Sequence, residues 1–260
     1  MGKMVQKIKE YWNNQAEKYG TDSLATMPDS ILKELEIKNI AKYLLTNKKI
    51  LDIGCGNGYS TIQLAKKIKS QFWGCDYSEK MIEKARQALK KEKSAVKGRL
   101  NFITADISAL PFKNNTFDIV ASDRCLINLP TLKHQVLAAK EIHQVLKKRG
   151  LYVMCEDTQE GLKRLNQLRK TMGLYKIPNR WHNLYINEKK FFAVIKKFFE
   201  LKLVDNFSST YYLASRIFNG KLAALEKKEP DYNHPINQIA AKLPAIGDYG
   251  PLKIFVLIKK

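Results

Sequence analysis

From about residue 48 onward the chain alternates short apolar runs with stretches of helical periodicity, and nothing else in it constrains the fold so tightly. A strand buried on both faces needs no polar side, so continuous apolar runs spaced by amphipathic helices are the pattern of a parallel sheet with crossover connections. Runs at 50–55, 71–77, 100–107, 118–123, 151–156, 203–213 and 253–257 read as seven strands. Helices over 60–68, 79–90 and 132–146 fill gaps between them, with Ser78 as N-cap of the second and Lys147-Lys148-Arg149-Gly150 stopping the third. A further helix is expected near Lys189. The expected architecture is α/β: a doubly wound, seven-stranded, mostly parallel sheet with helices on both faces.

No internal repeat or low-complexity linker divides the chain, so residues 48–260 read as one domain preceded by a helical segment, 1–47, able to act as a lid. Two insertions break the alternation. Residues 159–187 are rich in Arg, Trp, His and Tyr, and residues 218–251 carry Pro230, Pro235, Pro244 and Pro251. Insertions of this length in a compact domain tend to carry function, which makes them candidate walls of a pocket.

The segment Leu51-Asp52-Ile53-Gly54-Cys55-Gly56-Asn57-Gly58 runs from the first strand toward the first helix. Glycine at Gly54, Gly56 and Gly58 lets the backbone turn tightly and lets a ligand approach it without a Cβ in the way. In a doubly wound sheet that turn lies at the carboxyl end of a central strand, where ligands bind. The next apolar run ends in Cys75-Asp76, which puts a carboxylate at the neighbouring strand tip, suited to ribose hydroxyls. A dinucleotide fingerprint would need its third glycine where Tyr59 stands, so a nicotinamide cofactor is disfavoured.

The acid-x-Gly-x-Gly-x-Gly spacing resembles the first motif of class I S-adenosylmethionine-dependent methyltransferases, which have a Rossmann-like fold. Phe72 to Ser78 resembles that family's second motif, and Thr104-Ala105-Asp106-Ile107 with Leu110-Pro111-Phe112 its third. Phe117-Asp118-Ile119-Val120, leading to Leu126-Ile127-Asn128-Leu129, resembles the fourth. The resemblance implies S-adenosyl-L-methionine as cofactor. Asp52 with the backbone of Gly54, Cys55 and Gly56 would position its methionine end, and Asp76 beside Tyr77 would take the ribose hydroxyls. Asp106 with the amide of Ile107 would hold the adenine. Ser122, Asp123 and Arg124 would lie under the methionine, while Tyr11-Trp12 and Tyr19 resemble the aromatic residues of a lid helix.

Methyl transfer asks the protein chiefly to align acceptor, methyl carbon and sulfur, and a general base helps where the acceptor is a hydroxyl. His182, within Pro178-Asn179-Arg180-Trp181-His182-Asn183, can accept a proton, orient an acceptor, or merely pack beside Trp181. Glu156 and Asp157 end the fifth strand and can serve as base or as helix-start charges. Arg124, Arg164, Arg169, Arg180 and Arg216 fall in or beside the candidate acceptor regions, and a guanidinium matches carboxylate or phosphate by a two-pronged hydrogen bond. Arg124, Arg180 and His182 are the catalytic candidates. The acceptor is expected to be small or glycan-linked and anionic, methylated on oxygen; the Arg180-to-Tyr185 stretch and the chain's ending are similar to methyltransferases of bacterial surface-polysaccharide assembly. Methylation of a nucleic acid, or of nitrogen in a small metabolite, stays open.

Charge is the compositional oddity. The formal net charge of +21 invites a polyanionic partner, yet only eight of the 46 basic residues are Arg and the lysines are spread along the chain, which also fits a solvated surface. The motif expected for methylating exocyclic base amines is absent, since Ser122-Asp123-Arg124-Cys125 stands in its place, so nucleic acid is not the expected partner. Cys55, Cys75, Cys125 and Cys155 show neither metal-ligand spacing nor a paired framework, and read as core thiols with no metal site. No apolar run is long enough to span a bilayer and the N-terminus opens a polar helix, so a cytoplasmic enzyme is expected.

Overall fold

Seven strands share one sheet in a computed structural model that describes residues 2–260. In chain order the elements are α1 (Lys3–Tyr19), α2 (Ser30–Ala41), β1 (Lys49–Ile53), α3 (Tyr59–Lys67), β2 (Gln71–Asp76), α4 (Glu79–Glu92), β3 (Arg99–Thr104), β4 (Phe117–Asp123) and α5 (Leu132–Val145). There follow β5 (Leu146–Asp157), α6 (Gln159–Thr171), α7 (Glu188–Ile195), β6 (Phe199–Asp205), α8 (Ser209–Tyr212), α9 (Asn219–Leu225), α10 (Pro235–Ala240) and β7 (Leu252–Lys259). The sheet order is β3-β2-β1-β4-β5-β7-β6, parallel from β3 through β5, with β7 antiparallel to both β5 and β6. This is the doubly wound, mostly parallel sheet expected from the alternation.

Successive strand residues point to opposite faces, and here both faces are apolar. Ile50, Ile119, Ala121, Val153 and Ile254 join one core with α2, α3 and α4, through Leu32, Ile37, Ile62 and Ile82 among others. Leu51, Ile53, Val120, Tyr152, Met154 and Phe255 join a second core with α5 and α7, through Ala138, Ile142, Phe191 and Ile195. Each such fully buried aliphatic side chain contributes about 2 kcal/mol over leaving it in water. Ser78 caps α4 as expected, its hydroxyl accepting from the Met81 amide at 3.1 Å.

Three expectations are corrected. The run 203–213 divides: β6 ends at Asp205 and Ser209 opens α8. The hydroxyls of Ser208, Ser209 and Thr210 donate to the carbonyls of Leu252, Ile246 and Pro244 at 2.6, 2.6 and 2.7 Å, which ties this helix to the chain entering β7. An apolar run does not by itself distinguish a strand from a buried helix. The Lys147-to-Gly150 stretch ends α5, but it forms the irregular start of β5, and Arg149 rather than Gly150 takes the left-handed backbone, at φ 62°. Within 1–47, α2 is no lid. Leu32, Ile37 and Ile40 are fully buried in the first core, leaving α1 alone above the strand ends.

What pins α2 is charge as well as apolar contact. Lys33 Nζ lies 2.5 Å from Glu36 Oε2 and 2.8 Å from Asp123 Oδ2, and Arg124 Nε lies 3.2 Å from Glu36 Oε1. The contacts to Glu36 are ion pairs outside hydrogen-bond angles. Burial alone would raise the Asp123 pKa, but Lys33 and Arg124 beside it bring it below the usual carboxylate range. Removing one member of a buried ion group strands the others, typically at about 3–5 kcal/mol. Glu36→Ala is expected to lower unfolding free energy by about that amount in urea titrations, whereas substitution of the exposed Glu10 on α1 should move it by less than about 0.5 kcal/mol.

Candidate active site

At the carboxyl ends of β1, β2, β4 and β5 the structure encloses a cavity of about 270 Å³, walled by both insertions and roofed by α1. One half is built on the β1–α3 loop. Gly54 and Gly56 have φ of 69° and 53°, and a Cβ on Gly54 would stand 2.5 Å from Cys125 Sγ, so only glycine serves there. Asp76 braces the loop from the next strand: its Oδ2 accepts the Gly56 amide at 3.0 Å and its Oδ1 the Ser78 amide at 2.9 Å. Asp52 accepts the Thr61 hydroxyl at 2.5 Å. Asp106 accepts the amide and hydroxyl of Ser108 at 2.8 and 2.7 Å. Asp52, Gly54, Cys55, Gly56, Asp76, Tyr77, Asp106 and Ile107 therefore share one cavity wall. Gly58 does not reach it; at φ 77° it turns the chain into α3, where a Cβ would strike Phe102 and Ala85.

The roof corrects the expectation for Tyr11 and Tyr19. Val5, Ile8 and Trp12, spaced three and four residues apart on one face of α1, line the cavity. Tyr11 lies off that face and stacks on His182 at 4.4 Å, and Tyr19 packs with Ala16, Ala25 and Met81. Ion pairs Lys9–Glu79, at 2.8 Å, and Lys80–Glu17 hold α1 against α4.

The second half is lined by Asp157, Tyr185, Tyr212, Arg180, Arg216 and His182. Arg216 sits in the π-helical turn Leu213–Phe218, paired to Asp29 at 2.6 Å and lying over the Tyr232 ring at 4.8 Å. Arg180 is exposed at the rim, and among the described residues no carboxylate pairs with it. Arg124 lines the floor, its guanidinium turned to Glu36 and, at 3.2 Å, to Met27 Sδ. Arg164 and Arg169 lie outside the cavity; Arg164 pairs with Asp248 at 2.7 Å and Arg169 donates to the Tyr175 carbonyl at 2.7 Å.

Strand alternation decides two other placements. Ser122 points away from the cavity, to Tyr152 Oη at 2.9 Å and Glu156 Oε1 at 3.1 Å. Glu156 in turn accepts the amides of Cys125, Leu126 and Ile127 at 3.0, 2.9 and 3.3 Å, a purely structural task, while Asp157 faces the cavity. His182 is buried with its Nδ1 unpartnered among the described residues; burial, then the Arg180 charge, pushes its pKa down to about 4, so the ring is neutral. His234 caps α10, accepting the Ile236 amide at 3.2 Å. No cluster able to hold a metal ion occurs among the described residues.

Sequence reasoning missed Lys33, Glu36 and Tyr212, whereas Trp12, expected beside Tyr11 in the lid helix, does line the cavity. The Lys33–Glu36 pair left one signal, two opposite charges three residues apart on a helix whose other positions are mostly apolar.

A carboxylate-braced glycine loop at the switch point of this sheet defines the class I methyltransferase fold. Residues 44–207 match the family described as a methyltransferase domain, and the chain belongs to that family. It is 36% identical over 120 residues to an uncharacterized methyltransferase of Schizosaccharomyces pombe, covering 45% of this chain and 42% of that protein. It is 36% identical over 122 residues to a demethylmenaquinone methyltransferase of Staphylococcus aureus, covering 46% and 47%. The matches thus span under half the length of these curated relatives. Among solved structures, phosphoethanolamine N-methyltransferase 1 of Haemonchus contortus, with phosphoethanolamine and S-adenosylhomocysteine, superposes with a TM-score of 0.67. At 15% identity, over 98% of this chain and 49% of that one, it shows the shared fold.

Burial raises four carboxyls around the cavity: Asp52 to about 7, Asp76 to about 6, Glu156 to about 8 and Asp157 to about 6. Each holds its proton in the folded chain at pH values where the unfolded chain, with carboxyls near 4, has lost it. Their contribution to stability is therefore complete below about pH 4 and is lost as pH rises through the raised values. The ligand-free protein is expected to melt several degrees lower at about pH 8 than at about pH 5 by scanning calorimetry; a melting temperature that climbs over this window would contradict the sign.

Proposed function

We propose that this chain is an S-adenosylmethionine-dependent methyltransferase acting on an oxygen of a small anionic acceptor. The observation that carries the acceptor reading is the pair Arg180 and Arg216 on one cavity wall, with Arg180 lacking any carboxylate partner among the described residues. An arginine held at a cavity rim is suited to a carboxylate or phosphoryl oxygen. The rings of Tyr185, Tyr212 and Tyr232 beside it suit a flat or cyclic body, and a sugar bearing a phosphoryl or carboxylate group, as in surface-glycan precursors, meets both demands. Tyr212, Arg216 and Tyr232 lie outside the residues matched to the family, whereas Asp157, Arg180, His182 and Tyr185 lie within them, so this wall joins the family's domain to the chain that follows it.

The other half fits the cofactor. In this reading Asp76 would take the ribose hydroxyls, Asp106 and the Ile107 amide would hold the adenine, and Asp52 with the Gly54–Gly56 backbone would receive the methionine end, which their shared cavity wall supports. When bound, the sulfonium supplies the methyl group and the leaving group together. The protein's task is orientation, which can contribute several kcal/mol. Arg124 acts through the floor network, and the neutral His182 as a hydrogen-bonding group of the acceptor wall. Four unpaired cysteines fit a reducing, cytoplasmic setting. A second reading, N-methylation of a small metabolite, is favoured by the carboxylate of Asp157 in the acceptor half, which also suits an amine.

Methyl-labelled cofactor incubated with cell extract fractionated into RNA and small molecules is expected to place label in the small-molecule fraction retained on an anion exchanger. Label confined to RNA, or to a cationic fraction, overturns the anionic-acceptor reading. Asp76→Ala is expected to weaken S-adenosylmethionine binding at least about tenfold by calorimetry, about 1.4 kcal/mol. Arg180→Ala should raise the acceptor KM about tenfold while leaving cofactor affinity unchanged.

A further inference from the structure

Asp157 closes β5 with a carboxylate that is only 5% exposed, lines the acceptor half, and accepts no hydrogen bond at either oxygen among the described residues. Buried polar atoms are nearly always hydrogen-bonded, so a bare carboxylate oxygen beside a cavity points to a ligand. Its surroundings come from every neighbouring element. The β4 tip brings Asp123 and Arg124, the segment 212–216 brings Tyr212 and Arg216, the first insertion brings Arg180 and Tyr185, and β7 places the apolar Leu252 opposite.

Other acids and bases at the cavity are engaged or unsuited. Asp52 and Asp76 hold the glycine loop and its helix, and Glu156 holds three backbone amides. His182 faces the same space but gains a proton only near pH 4. Burial raises the Asp157 pKa to about 6, while Arg124, Arg216 and Arg180 hold it down, so the group is charged at neutral pH yet close enough to neutrality to accept a proton. The hydroxyls of Tyr185 and Tyr212, both pushed up by burial, stay protonated and so do not serve as the base.

We infer that Asp157 is the general base of the transfer, taking the proton of the acceptor hydroxyl whose anionic group Arg180 holds. The acceptor oxygen forms its bond to the methyl carbon as its proton passes to the Asp157 carboxylate, and the electron pair of the breaking carbon–sulfur bond stays on sulfur. This inference rests on the methyltransferase reading above. It also gives the carboxylate, which accepts no hydrogen bond among the described residues, a donor in the incoming hydroxyl.

The experiment compares wild type, Asp157→Asn and Asp157→Glu with the anion-exchange-retained extract fraction as acceptor and methyl-labelled cofactor as donor. In wild type the transfer rate should fall as pH drops through about 6. Asp157→Asn should lose at least about a hundredfold in kcat and the acidic limb of the profile, Asp157→Glu should recover part of the rate, and S-adenosylhomocysteine affinity by calorimetry should stay within about twofold for all three. Asp157→Asn should also melt no lower than wild type, because it removes a buried charge rather than a bond. A kcat for Asp157→Asn within about threefold of wild type overturns the inference and leaves the methyltransferase reading standing. Absence of transfer by wild type to any fraction overturns both.

Discussion

The placement of β1 between β2 and β4 is the constraint from which the rest of the molecule follows. Both neighbours pair with β1 in parallel, yet the chain leaves β1 toward β2 and β3 on one side and reaches β4 and β5 on the other. Crossovers on opposite faces must part at that point, and a crevice opens between them at the strand ends. The glycine loop, Asp76, the Asp123-Arg124 tip and Asp157 all stand at that edge because four adjacent parallel strands end there. None of them would be near the others in an antiparallel arrangement.

Placing acids at such an edge has an electrostatic cost that the molecule meets in two ways. In the cofactor half the carboxylates accept hydrogen bonds from the loop and helix they support, so each oxygen of Asp76 has an amide donor. Beneath the floor, Asp123 and Glu36 share Lys33 and Arg124, which turns four buried charges into a neutral group. Asp157 follows neither pattern. Burial raises its pKa while arginines that do not bond it hold it down, and an unmade hydrogen bond of that kind costs roughly 1–3 kcal/mol.

The parts of this architecture governed by local rules were legible in the sequence. Both-face burial makes β1, β2, β4 and the second half of β5 largely apolar runs, the edge strand β3 alternates, and the left-handed φ at Gly54 and Gly56 demands glycine, so the sheet and its loop could be read directly. What escaped was decided by packing at a distance. The 203–213 run reads equally as strand or helix, and only hydroxyl bonds to residues 244–252 settle it. Tyr11 and Trp12 are adjacent in sequence, and which of them faces the cavity depends on how α1 is rotated against α4. Ser122 and Asp123 divide in the same manner, one to each face of β4. Lys33 and Glu36 meet Asp123 only after some 90 residues of intervening chain have folded.

The turn that carries Arg216 has a consequence for how such a protein can diversify. A π-turn holds one more residue than the α-helical register allows, and losing that residue would rotate everything beyond it by about 100° around the helix axis. Leu213–Phe218 is such a turn, and Arg216 lies inside it. Deletion of a single codon here would swing the guanidinium out of the cavity while leaving the first five strands untouched, so one genetic step could reshape this side of the cavity without rebuilding the glycine-loop side.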